Sequence, residues 1–159
     1  MNLKFTFGQS APHEHTSDPA VAATGGRALP FSVAPSSNSS ELRVEVREAA
    51  SADPTAAPAF EATVLSGDDV SYGRGATPVR GTAPDAASIA ARSAISRALA
   101  DTGEHLLSAI TLVQLEVQNA AVVAAGLNLA TDAAGTWRST AALQQRTGLP
   151  EGTEVRAAR

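Results

Sequence analysis

The chain has 159 residues, a net charge of −4 and 43% hydrophobic residues, with aromatics only 4%. That length fits a single domain, and the acidic balance gives no basic footprint for binding nucleic acid across the whole surface. The absence of cysteine excludes disulfides, thiolate metal sites and cysteine nucleophiles.

Alanine supplies much of the apolar fraction. At about 25 cal/mol per Å² of buried apolar surface, a core of alanines gains less than the hydrophobic count suggests. It must offset about 1–2 kcal/mol of backbone entropy per ordered residue. Contacts with neighbouring chains are therefore expected to help hold the fold. Of the 12 basic residues only Lys4 is a lysine.

In chain order, "NLKFTFG" comes first. Leu3, Phe5 and Phe7 alternate with Asn2, Lys4 and Thr6, the period of a half-buried strand closed by Gly8. No apolar run of signal-peptide length appears at this end, so synthesis in the cytoplasm without a signal peptide is the expectation. Residues 9–40 are rich in Pro, Ser, Gly and Ala and hold no period. They read as a long extended arm or linker, functional, disordered or laid across a partner, with Leu29, Pro30, Phe31 and Val33 as an anchor or a local contact. Within the arm, "HEH" places His13 and His15 on one side of an extended strand. Two imidazoles at this spacing can share a metal, but a third ligand is not evident, and a solvated polar arm is the favoured reading. No metal and no cofactor is expected.

"ELRVEVREA" alternates Leu42, Val44 and Val46 with Glu41, Arg43, Glu45 and Arg47, a second strand with charges of alternating sign outward. "AFEATVLSG" gives a third, with Phe60, Ala62 and Val64 on one face, and "SGDD" suits a tight turn. Asp68 and Asp69 are neighbours that point apart, hence poor acid–base partners. "VSYGRG" reads as a short fourth strand. Together these pieces predict a small antiparallel sheet with one apolar face. "GRGATPVRG" lacks the spacing and the Lys-Ser/Thr ending of a phosphate loop. No GxSxG and no Ser/His/Asp set stands out.

From Thr82 the texture turns helical. Thr82 is a candidate cap, with Pro84 in the first turn and Asp85 three residues on. Gly103 marks a break, and His105 beside Glu104 reads as a surface residue. The stretch from Leu106 to Thr131 carries one charge, Glu116. Leu106, Ile110, Val113, Val117, Ala120, Ala124 and Leu127 step by four and three, as in a coiled-coil seam. A second row runs through Leu112, Leu115, Asn119, Val122, Gly126, Leu129 and Ala133. A helix apolar on two faces is buried nearly all round. A membrane span has enough length here, but Glu116 and four amides oppose it. Packing against other protein helices is expected instead, with the seven seam residues as an oligomer interface. Trp137 is a candidate anchor or core residue. Gly148 with Pro150 predicts a helix stop, and "EGTEVRAAR" reads as a tail.

Gln114, Val117, Ala120 and Leu127, with Gln144 and Gln145 further on, resemble the C-terminal helix of type III secretion inner-rod subunits. The resemblance covers about a quarter of the chain and implies an apolar polymerising helix. The strands at 2–7 and 41–47 and the tail depart from that family. A strand-rich arm followed by an Ala-rich helical half is also similar in texture to minor structural proteins of tailed bacteriophages, and such texture does not establish function.

The sequence thus predicts an α+β protein. Residues 1–81 form a small antiparallel β region with a long extended arm. Residues 82–149 form a long Ala-rich helix or helical hairpin for oligomerisation, and 150–159 a tail. The expected function is a non-enzymatic structural subunit of a large assembly, foremost a bacteriophage connector, decoration or tail protein. An export-apparatus rod subunit is the alternative. Expected partners are copies of the chain and other structural proteins, with no small-molecule substrate, no nucleic acid and no membrane span; the expected location is a virion or similar particle.

Overall fold

Charged and apolar residues alternate along Leu42–Ala49, and this period builds the centre of the molecule. The structure, a computed structural model, describes residues 37–49 and 57–158; these belong to one compact unit, Val33–Arg159. The strand at 2–7, the 9–40 arm as far as Ser36, and His13 and His15 lie outside the described residues.

Strands β1 (Leu42–Ala49), β2 (Ala59–Ser66) and β3 (Ser71–Pro78) form an antiparallel meander. Helix α1 (Ala86–Asp101) follows, then a 3₁₀ turn, Glu104–Ala109. Strand β4 (Ile110–Glu116) returns to pair parallel with β1. Helix α2 (Ala120–Gly126), the short hairpin β5 (Ala130–Thr131) and β6 (Trp137–Arg138), and helix α3 (Ala141–Thr147) lead to β7 (Glu154–Ala157), which runs parallel to β4. The sheet has seven strands in the order β3-β2-β1-β4-β7-β6-β5.

Both parallel crossovers, β3 to β4 and β4 to β7, travel in the same direction along the sheet. Right-handed connections then put their helices on the same face. In agreement, α1 packs on β2 and β3 and also touches α2 and α3. Val44, Val46, Val64, Ile95, Val113 and Leu115 are fully buried between sheet and helices.

Alanine allows this close approach. Ala90, Ala91, Ala94 and Ala98 are buried on α1, and Ala94 and Ala98 lie against glycines of β3. A Cβ at Gly73 would stand 2.3 Å from the Ala98 carbonyl oxygen, and one at Gly75 would stand 2.4 Å from that of Ala94. Small residues on both sides bring helix and sheet close together.

The turn between β2 and β3 is held by Asp68. Its carboxylate accepts hydrogen bonds from the hydroxyls of Ser37 and Ser66 and from the Asn38 N–H. Asp69 takes the left-handed conformation beside it, φ 64°. At the other end of the chain, Thr140 caps α3 by accepting from the Leu143 N–H at 3.3 Å. Gly148 ends that helix at φ 83°, as the Gly-Pro signal predicts.

This architecture corrects the predicted fold class. The sheet is mixed rather than a small antiparallel one, and it draws strands from the centre and C-terminal part of the chain. There is no long helix or helical hairpin over 106–131: that segment is a 3₁₀ turn, the buried strand β4 and the seven-residue α2. Residues read as a tail supply β7. The physical reason is a register shift between Leu42 and Arg43 opposite Ile110 and Leu112. It moves the buried β4 positions to 110, 113 and 115. The strand's spacing then continues into α2 at 120, 124 and 127 and imitates steps of four and three.

Candidate functional site

The seam residues come first. Leu106 sits in the 3₁₀ turn, Ile110 and Val113 on β4, Val117 just beyond it, Ala120 and Ala124 on α2, and Leu127 at its C-cap. Ile110, Val113, Ala124 and Leu127 are buried, and Leu106, Val117 and Ala120 pack partly covered against the same core. Four of the seven thus lie in the chain's own core and three at its margin. Trp137 likewise packs partly buried against this core.

The face of the sheet away from α1 carries the charges. Arg43, Glu45 and Arg47 follow one another along β1 at every second residue, as the pleat requires. Glu45 is nearly buried, its side chain 10% exposed. It accepts from Arg43 Nε at 3.0 Å and from an Arg47 terminal nitrogen at 2.6 Å. Arg47 Nε reaches across to Glu116 on β4 at 2.6 Å, where the register places the two residues side by side. Gln114 donates to the other Glu116 oxygen at 3.1 Å. On the β2 side Arg74 pairs with Glu61 at 3.0 Å. Arg43 also holds Asp69, and this bond is the largest cause raising the Arg43 pKa. A shallow hollow of about 150 Å³ lies between Glu45, Arg47, Glu61, Thr63, Leu65 and Arg74.

Signs alternate across this face, so each carboxylate is met by an arginine rather than by a second carboxylate. Asp68, by contrast, is fully exposed at the turn. The Ser37 hydroxyl, and after it that of Ser66, holds its pKa down to about 2. Asp132, in the β5–β6 turn, is also lowered, chiefly by the Thr136 N–H. Both are structural turn residues.

Among the described residues no cluster of three or more His, Asp or Glu side chains is placed to hold a metal ion. No helix among them is long and apolar enough to cross a membrane. His105 lies in the 3₁₀ turn beside Gly103. The sequence reading missed the charge lattice of the sheet face. The alternation of Arg43, Glu45 and Arg47 signalled half of it; the partner, Glu116, was hidden inside a segment read as helix.

One further feature is the surface of α2. Its sequence, AAVVAAG, contains no polar side chain. Val123 and Ala124 point into the core, while Ala121, Val122 and Ala125 are exposed, Val122 by 54%. No known protein family, curated protein or solved structure matches this chain.

Proposed function

We propose that the chain is a non-enzymatic structural subunit of a larger multi-subunit assembly, of the kind found as a connector, decoration or tail protein in bacteriophage particles. The observation that carries this reading is the outer side of α2. A helix with apolar residues on both sides normally has neighbours on both sides, and clustered exposed apolar surface marks contact sites. Alanines beside Val122 let a neighbouring backbone approach closely. The ion-paired sheet face adds support for a non-catalytic role, since its carboxylates are matched internally by arginines. The rod-like export alternative rested on a long apolar helix, and with that helix replaced by β4 and α2 it is not carried further.

Native mass tests the proposal. The purified chain is expected at a multiple of 16.1 kDa, alone or on mixing with its particle partners. Val122→Asp, on an exposed position, should return it to single chains with its circular dichroism unchanged. A parent chain that stays single under both conditions, or a Val122→Asp variant that assembles equally well, would refute the reading.

A further inference from the structure

Three unexplained features meet in one place, where the end of β3 faces the first turns of α1. A groove of about 240 Å³ there is lined by Thr77, Pro78, Arg80, Ile89, Ser93 and Arg97, among others. First, the Thr77 hydroxyl is buried with no hydrogen-bond partner among the described residues. Leaving a buried polar group unpaired costs about 1–3 kcal/mol, so this corner of the fold is locally destabilised. Second, Ile89 is 44% exposed, one of two large hydrophobics so exposed among the described residues. Third, two arginines line the groove and no carboxylate does. Ser93 turns its hydroxyl back onto the Ile89 carbonyl. Arg97 spends one nitrogen on the Ala76 carbonyl at 2.6 Å, and the rest of its fork remains for another acceptor. A basic groove on a chain of net charge −4 is a local reversal.

We propose that this groove docks an extended acidic segment of a partner protein. A carboxylate sits between Arg80 and Arg97, and an apolar side chain lies on Ile89 and Pro78. Arginine forks suit carboxylates because two N–H groups can engage both oxygens. The volume falls below the roughly 300–1,000 Å³ of small-molecule sites, so it takes one or two side chains rather than a whole metabolite. The segment lies across the groove instead of extending the sheet, since Arg97 already occupies the Ala76 carbonyl and Pro78 has no N–H to offer. This deepens the assembly reading by naming a partner chemistry. Its test uses a short peptide and variants other than Val122, so the two can fail separately.

The experiment measures binding of a fluorescent, end-blocked peptide of alternating Glu and Leu to the full chain. The same peptide with Gln for Glu and a thymidylate oligomer of equal charge serve as comparisons. The Glu peptide is expected to bind at least about tenfold more tightly than the Gln peptide, with affinity falling as salt rises. Arg80→Glu should weaken it by roughly three- to tenfold, and Ile89→Ser should weaken it while leaving the fold intact. Thr77→Val should raise the melting temperature, by removing the orphan hydroxyl, and leave binding unchanged. No binding, equal binding of the Glu and Gln peptides, indifference to Arg80→Glu, or tighter binding of the oligomer would each overturn the proposal.

Discussion

Arg97 donates to the Ala76 carbonyl at 2.6 Å, across the outer edge of β3. One turn further along α1, the Asp101 carboxylate accepts from the Arg74 N–H at 3.1 Å. Residues 74 and 76 have the same parity in an antiparallel ladder, so both groups point away from β2. Pro78, two residues on, carries no N–H at all. An edge strand presents a template for pairing with another chain, and here three successive edge positions are closed. Asp101 stands at the end of a helix, where the helix dipole disfavours a carboxylate; its bond to the edge offsets that. The double variant Arg97→Ala/Asp101→Ala is expected to stay folded and to self-associate through β3. Sedimentation at rising concentration, with faster amide exchange at Arg74, checks this. Unchanged mass and unchanged exchange would contradict it.

The close approach of α1 to β3 makes a second prediction. Gly75→Ala sets a methyl 2.4 Å from the Ala94 oxygen and 2.6 Å from the Ala98 nitrogen. Neither is the end of a flexible side chain. Overpacking of this kind costs about 1–3 kcal/mol or more, and chemical denaturation should report a loss in that range. Gly135→Ala removes a glycine with open space around it but at φ 80°. Its cost should come from the backbone alone, at about 1–2 kcal/mol.

A third concerns β4. Leu115 is fully buried on β4, so Leu115→Ala opens a cavity and should cost about 2–5 kcal/mol. Since the contact is internal, the loss of melting temperature should not depend on protein concentration. A loss that vanishes at high concentration would place Leu115 at an interface between chains instead.

The fourth is a pH effect. Asp68 has its folded pKa lowered to about 2, against about 3.9 for an unperturbed aspartate. A lowered folded value means that the unfolded chain takes up the proton first as acid is added. The stabilisation is therefore present above about pH 4 and fades as pH falls toward 2. Asp68→Ala should melt below the parent at pH 6, and the two curves should converge through that acid window. Ser37→Ala, which removes the first of its hydroxyl partners, should shift the same way by a smaller amount.

How far the sequence revealed this fold depends on register. β1 and β2 were readable because Leu42, Val44, Val46 and Phe60, Ala62, Val64 keep a clean period of two. The stop at Gly148 carried local punctuation, whereas α1 starts at Ala86 with Asp85 as its N-cap rather than the expected Thr82. β4 was not readable, because the shift beside Ile110 breaks its alternation and mimics helical spacing. β7 was missed for lack of length: only Val155 of its four residues is buried. The charged face depends on pairs such as Arg47 with Glu116, 69 residues apart, which no local pattern contains. The Thr77 groove also needs the fold, since its arginines come from different elements.

The position of β1 has a consequence for how the protein is made. It leaves the ribosome well before β4, one of its two neighbours in the finished sheet, which begins at Ile110. Until that strand emerges, one edge of β1 keeps its backbone N–H and C=O groups unpaired. Late contacts of such sequence separation slow folding and leave nascent chains prone to clumping. Fragments cut before residue 110 should therefore be sticky, whereas those ending after β4 should begin to dissolve.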